Sequence, residues 1–118
     1  ELLVQLGHYL RRLRDISSRE MVVTNGSPEG CFLIGQLLVR PGDPVAVDEV
    51  GYSPAWEALR LIGANLVGLP VDRQGVVPEA LEELARRQKV AMLYTTPLHQ
   101  YPTTVTMPLE RRRKLYQV

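Results

Sequence analysis

Three short polar stretches hold most of the side chains that could do chemistry. The first is Thr24-Asn25-Gly26-Ser27-Pro28-Glu29-Gly30. A glycine turn followed by Ser27 and Pro28 predicts a helix start, with Ser27 as cap and Pro28 at the first helical position. Free amides and the positive end of a helix dipole suit a phosphate there, and Ser27 adds a hydroxyl. No Lys-Ser/Thr pair follows, so this is not a P-loop. Pro28 withholds one amide. The second stretch is Asp48-Glu49-Val50-Gly51-Tyr52-Ser53-Pro54, where two acids could contact a ligand and Tyr52 could stack on a planar ring. The third is Thr95-Thr96-Pro97-Leu98-His99-Gln100-Tyr101-Pro102-Thr103-Thr104, a polar loop whose prolines restrict its shape. Each has a plainer reading: a capped helix, a polar loop anchored by one aromatic, a connector with satisfied hydroxyls.

Other reactive side chains point elsewhere. Cys31 sits in an apolar helical stretch and reads as a buried thiol. His8 lies among arginines on a helix. Arg111-Arg112-Arg113-Lys114 reads as a solvated helix face. No spacing fits a metal site or a Ser-His-Asp triad.

The elements that must carry these loops alternate. Residues 1–16 form an amphipathic helical pattern, with Leu2, Leu6, Tyr9, Leu10, Leu13 and Ile16 on one stripe. Glu20-Met21-Val22-Val23-Thr24 predicts a buried strand. A helix from Ser27 to Val39, apolar almost all round, is expected to be buried. Strands are predicted at 44–47, 65–69 and 90–94, and helices at 54–62, from Pro78, and from Leu109 to the end. Asp72-Arg73-Gln74-Gly75 is a turn. Short apolar strands between helices predict an α/β fold, a three-layer αβα arrangement with a mainly parallel sheet.

The chain has 118 residues, 45% hydrophobic, with 14 basic and 13 acidic side chains. That length suits one domain, and no composition break divides it. The near-neutral charge makes no case for nucleic acid. A single cysteine excludes an internal disulfide. No apolar run approaches the roughly 20 residues of a membrane span, and no signal peptide is visible, so the expected location is the cytoplasm. Both ends fall within helical patterns without caps, which suggests a piece of something longer.

In order, the segments resemble a known family. Val23-Thr24-Asn25-Gly26-Ser27, then Leu37-Leu38-Val39-Arg40-Pro41-Gly42-Asp43-Pro44-Val45, then Tyr52, Gly63-Ala64, Leu69-Pro70-Val71-Asp72 and Gly75 follow the pattern. Tyr94-Thr95-Thr96-Pro97-Leu98-His99-Gln100-Tyr101-Pro102-Thr103, Met107 and Arg111-Arg112 complete it. Together they resemble the aminotransferase-like domain of MocR/GabR-type regulators. Those proteins fuse a class I/II aminotransferase-like domain of fold type I, which binds pyridoxal 5′-phosphate (PLP), to a GntR-type winged helix. The Thr-Pro-x-His-Gln-x-Pro-Thr loop marks the regulator type, since ordinary aminotransferases resemble Asn-Pro-Thr-Gly there.

The resemblance assigns roles. Gly26, Ser27 and Pro28 are expected at the cofactor phosphate, and Tyr52 on the pyridine ring. Tyr101 stands where relatives have an asparagine near the phenolic oxygen, with Gln100 on the same wall and the Tyr101-Pro102 bond cis. It also implies a homodimer, an amino-compound effector or substrate, and DNA contact only through a winged helix that is not in this chain. Pro28 replaces the usual glutamine, and Asp48-Glu49-Val50-Gly51-Tyr52 stands for Glu-x-Pro-x-Tyr. Thr104 stands where many relatives have glycine. PLP chemistry needs a lysine that binds the cofactor covalently and an acid at the ring nitrogen. Neither Lys89 nor Lys114 lies in a matching motif, so no catalytic residue is expected in this chain. The resulting expectation is part of a regulator's PLP-binding domain. The alternatives are part of a true PLP-dependent aminotransferase, or a cofactor-free α/β binding or dimerisation module.

Overall fold

The computed structural model describes residues 1–17 and 20–118. Three parallel strands form its centre: β1 (Pro44–Asp48), β2 (Asn65–Leu69) and β5 (Met92–Tyr94), in the order β2-β1-β5. β1 pairs with β2 from Pro44↔Asn65 to Asp48↔Leu69, and with β5 from Val45↔Met92 to Val47↔Tyr94. The strands sit within two residues of the predicted ones.

Side chains of a strand alternate between faces, and the two cores follow that rule. Val45 and Val47 of β1 pack with Leu59 of α3 (Ser53–Leu61), Met92 and Tyr94 on one face. Ala46 and Leu93 face the other way. They pack with Leu81 and Leu84 of α4 (Pro78–Arg87) and with Leu115 of α5 (Leu109–Gln117). The architecture is therefore the expected α/β one, with helices on both sides of a parallel sheet. The predicted turn at 72–75 closes a small antiparallel hairpin, β3 (Val71–Asp72) with β4 (Gly75–Val76). The Asp72 side chain accepts from the Gln74 amide at 2.7 Å.

Three expectations need correction at the N-terminal side. Met21–Thr24 forms no strand, and Val22 and Val23 are exposed. A strand needs a ladder partner for its backbone groups, and no described residue offers one. Helix α2 (Ser27–Leu38) is not buried: Gly35 alone is, while Leu33, Ile34, Leu37 and Leu38 are exposed. The cap of α2 is Gly26 rather than Ser27, so Pro28 is the second helical residue. Helix α1 (Leu2–Arg14) ends at Asp15 in the left-handed conformation, and its apolar stripe is not buried either. No helix among the described residues is long and apolar enough to cross a membrane.

Candidate functional site

Two helices start at one end of the sheet, and a glycine sets their spacing. A Cβ on Gly35 would lie 2.6 Å from Ile62 Cδ1 and 3.2 Å from Leu59 Cδ2. The absence of a side chain thus lets α2 press against α3. The two helices share an open groove of about 550 Å³, lined by Pro28, Glu29 and Phe32 of α2 and by α3 from Ser53 and Pro54 to Leu61. Tyr52, at the cap position of α3, immediately precedes that wall.

The turn into α2 needs Gly26, whose φ is 91°. Thr24 donates its hydroxyl to the Gly26 carbonyl at 2.9 Å. The Asn25 amide donates to the Glu29 carboxylate. In the first turn, the Ser27 and Glu29 amides have no partner inside the helix, and Pro28 has no N–H. A phosphate fits this end by those amides, the dipole and the Ser27 hydroxyl. Glu29 stands beside it, and Glu57 lines the same groove.

The other two loops meet ring to ring. Tyr52 and Tyr101 stand edge to face, with centroids 6.0 Å apart and planes at 83°. Tyr101 is more than half exposed, and its bond to Pro102 is cis, as expected. A planar aromatic group fits against these rings.

Behind the rings lies a buried polar cluster. Asp48 is the last residue of β1 and is 3% exposed, and Gln100 is 1% exposed. Gln100 therefore stands inside the wall that it was expected to line. Its Nε2 donates to the Val50 carbonyl, and its Oε1 accepts from the Thr103 hydroxyl. Its main chain closes the loop, with Gln100 N to Val105 O at 2.9 Å and Thr104 N to Gln100 O at 2.6 Å. Burial pushes the Asp48 carboxyl above the ordinary carboxylate range. The Thr95 side chain, the Thr96 amide and the Gln100 carboxamide, all beside it, pull the other way. Asp48 Oδ1 and Thr95 Oγ1 have no partner in hydrogen-bond geometry among the described residues.

Tyr94 ends β5 close to Asp48, Tyr52 and Cys31; burial first, then those three groups, push its phenol up. Cys31, expected to be buried, is only partly so, and that burial raises its thiol. Sequence reasoning placed Thr95 and Thr103 in the third polar stretch without giving either a role, and read Tyr94 as part of a strand. The signal available was position: Tyr94 and Thr95 stand where β5 meets the proline loop.

Both lysines are elsewhere. Lys89 lines a pocket with Asp43, Val90 and Ala91, at the amino ends of β1 and β5. Lys114 on α5 pairs with Glu79 of α4 at 3.4 Å. His8 and His99 are exposed, and no group of metal-ligating side chains occurs among the described residues.

Residues 1–118 match the protein family described as aminotransferase class I and II. The aromatic amino acid aminotransferase of Schizosaccharomyces pombe is 32% identical over 98% of this chain and 26% of its own length. The HTH-type transcriptional regulator TauR of Rhodobacter capsulatus is 35% identical over 81% of this chain and 19% of its own. Among solved structures, the alpha-aminoadipate aminotransferase LysN of Thermus thermophilus superposes with a TM-score of 0.86 at 30% identity. It was crystallised with N-(5′-phosphopyridoxyl)-L-leucine, and the match covers 95% of this chain and 29% of that one. The chain thus spans less than a third of the length of these relatives.

Proposed function

The chain belongs to the aminotransferase class I and II family, and from that premise we propose that it forms part of a PLP-binding domain in a MocR/GabR-type regulator. The observation that carries the cofactor reading is the meeting of the three loops at the carboxyl ends of the strands. Support comes from Pro28 and Glu29 of α2 facing Ser53 and Pro54, next to Tyr52, and from the Tyr52–Tyr101 pair. Ligands of parallel α/β sheets bind at that edge.

In this reading, Ser27 and the amides of the first α2 turn hold the phosphate, and Tyr52 orients the ring. Tyr101 sits near the phenolic oxygen. Gln100 acts from inside the wall by fixing the loop. PLP, when bound, supplies a carbonyl that reacts with amino groups and a ring that takes up electron density. The residues of this chain bind and orient; a lysine that binds the cofactor has to come from another part of the polypeptide. The regulator reading adds a homodimer, an amino-compound effector and DNA contact through a separate winged-helix domain. It is supported by the His99-Gln100 motif and by the likeness to TauR. A second reading, part of a true aminotransferase, is favoured by the likeness to the Schizosaccharomyces pombe enzyme over 98% of the chain.

The test is a titration of the full-length polypeptide carrying this chain with PLP, read by visible absorbance. The expected result is saturable uptake, weakened about tenfold or more by Tyr52→Leu through loss of ring stacking. No uptake by the wild type overturns the reading. Amino-group transfer by the same protein favours the enzyme; DNA binding that responds to an amino compound favours the regulator.

A further inference from the structure

The tyrosine pair is carried by two loops that are far apart in sequence, and both loops meet water. Tyr101 is 58% exposed and Val50 43% exposed, so apolar packing does little to hold the loops together. Between them lies the Gln100 side chain, fully buried. Its Nε2 donates to the Val50 carbonyl, two residues before Tyr52. Among the described residues, no other hydrogen bond joins 49–54 to 98–106. Its Oε1 accepts from the Thr103 hydroxyl, and from the Thr103 amide at 3.4 Å. The main chain of the same residue closes the turn around Tyr101, through the Val105 carbonyl and the Thr104 amide. That turn holds His99 and Thr104 at φ 53° and 61°, left-handed conformations that a Cβ disfavours. Without the bonds around Gln100, the turn would relax toward ordinary backbone angles.

We propose that Gln100 is a positioning residue: its carboxamide ties the Tyr52 loop to the Tyr101 turn and sets the spacing of the two rings. The bearing of this tie on a cofactor rests on the PLP reading above; the tie itself does not. A carboxamide suits the task because one short planar group holds a donor and an acceptor. The donor reaches across to the Tyr52 loop, and the acceptor holds the turn that carries Tyr101. Methionine at this place is of similar length but donates nothing, so the Val50 carbonyl and the Thr103 hydroxyl both lose a buried partner. Valine at 103 frees the acceptor end alone, and serine there keeps the hydroxyl.

Hydrogen exchange of the full-length polypeptide carrying this chain, followed by peptides, tests the tie. Gln100→Met is expected to speed exchange at 49–54 and at 98–106 together, by about tenfold or more, as a locally opened unit does. Peptides from 44–47, 65–69 and 92–94 stay at the wild-type rate. Thr103→Val gives the same pattern to a smaller extent, and Thr103→Ser exchanges as the wild type does. In Gln100→Met, faster exchange in one of the two loops only, equal loosening of the strands, or no change would overturn the proposal. If Gln100→Met does not accumulate as folded protein, Thr103→Val against Thr103→Ser carries the same comparison. Two PLP readouts separate positioning from bulk stability. The PLP dissociation constant is expected to rise about tenfold in Gln100→Met, and the induced circular dichroism of the cofactor at saturation to change, because the ring is held differently. A lower thermal midpoint with both PLP readouts at wild-type values would make Gln100 a merely structural residue and overturn its positioning role. Failure of the wild type to bind PLP sinks the functional reading, while the exchange result still decides on the tie.

Discussion

Two aspartates, Asp48 and Asp72, sit in opposite surroundings. Asp48 is buried at the end of the central strand, and burial pushes its carboxyl up although Thr95, Thr96 and Gln100 beside it pull the other way. Asp72 is exposed on the small hairpin and grips Arg111 of α5 with both oxygens, at 2.5 and 2.9 Å. Arg111 also donates to the Gly75 carbonyl at 3.1 Å. The Arg111 hydrogen bonds, then the Gln74 amide, hold the Asp72 carboxyl below the ordinary range. The hairpin pair is a two-pronged grip that water screens. The Asp48 carboxyl is buried, and the buried Gln100 side chain beside it bonds to Val50 and Thr103. A surface grip tolerates loss, whereas a buried linkage leaves its partners unsatisfied when broken.

The largest expected effect follows from adding a charge to the buried cluster. Gln100→Glu places a second carboxylate beside Asp48 and removes the donor to Val50. An uncompensated buried charge costs about 3–5 kcal/mol, so the thermal midpoint should fall sharply and partly recover in acid, when the pair shares a proton. A midpoint shift no larger than that of a surface substitution would break the contrast.

The smaller effect belongs to the hairpin. Asp72→Asn should cost about 0.5–1 kcal/mol, discounted for exposure, and less at high salt. The pH slopes sharpen the distinction. The Asp72 carboxyl is lowered by folding, so its stabilisation is present above the ordinary carboxylate value and is lost as pH falls through the lowered one. The Asp48 carboxyl is raised by folding. Its penalty is absent below the ordinary value and grows as pH rises toward the raised one. Unfolding midpoints across the acid range should show Asp72→Asn flattening the acid loss, with Asp48→Asn moving the curve in the opposite sense.

Much of this architecture was legible in the residues themselves. The strands at 44–48 and 65–69 are short, apolar and bounded by Pro, Gly and Asp, so local chemistry and burial agree. Where the reading failed, an apolar pattern stated only what a segment would bury against. Val22, Val23 and the Leu33–Leu38 face of α2 carry that pattern, and no element among the described residues covers them. The candidate site divides the same way. Tyr52, Ser27 and Tyr101 stand out by type and by resemblance. The burial of Asp48 and Gln100 does not, because a polar residue in a loop-like stretch reads as solvated until the fold shows it buried. Gln100 was expected on the same wall as Tyr101; it is buried, and its side chain bonds to Val50 and Thr103.

The central claim is that three loops, separated in sequence, enclose one ligand. Hydrogen exchange of the full-length polypeptide with and without PLP tests it most directly. The account predicts slowed exchange at 24–30, 49–54 and 98–106 together, by about tenfold or more at saturation, with little change at α4. Protection confined to one of those segments, or to none, would contradict it.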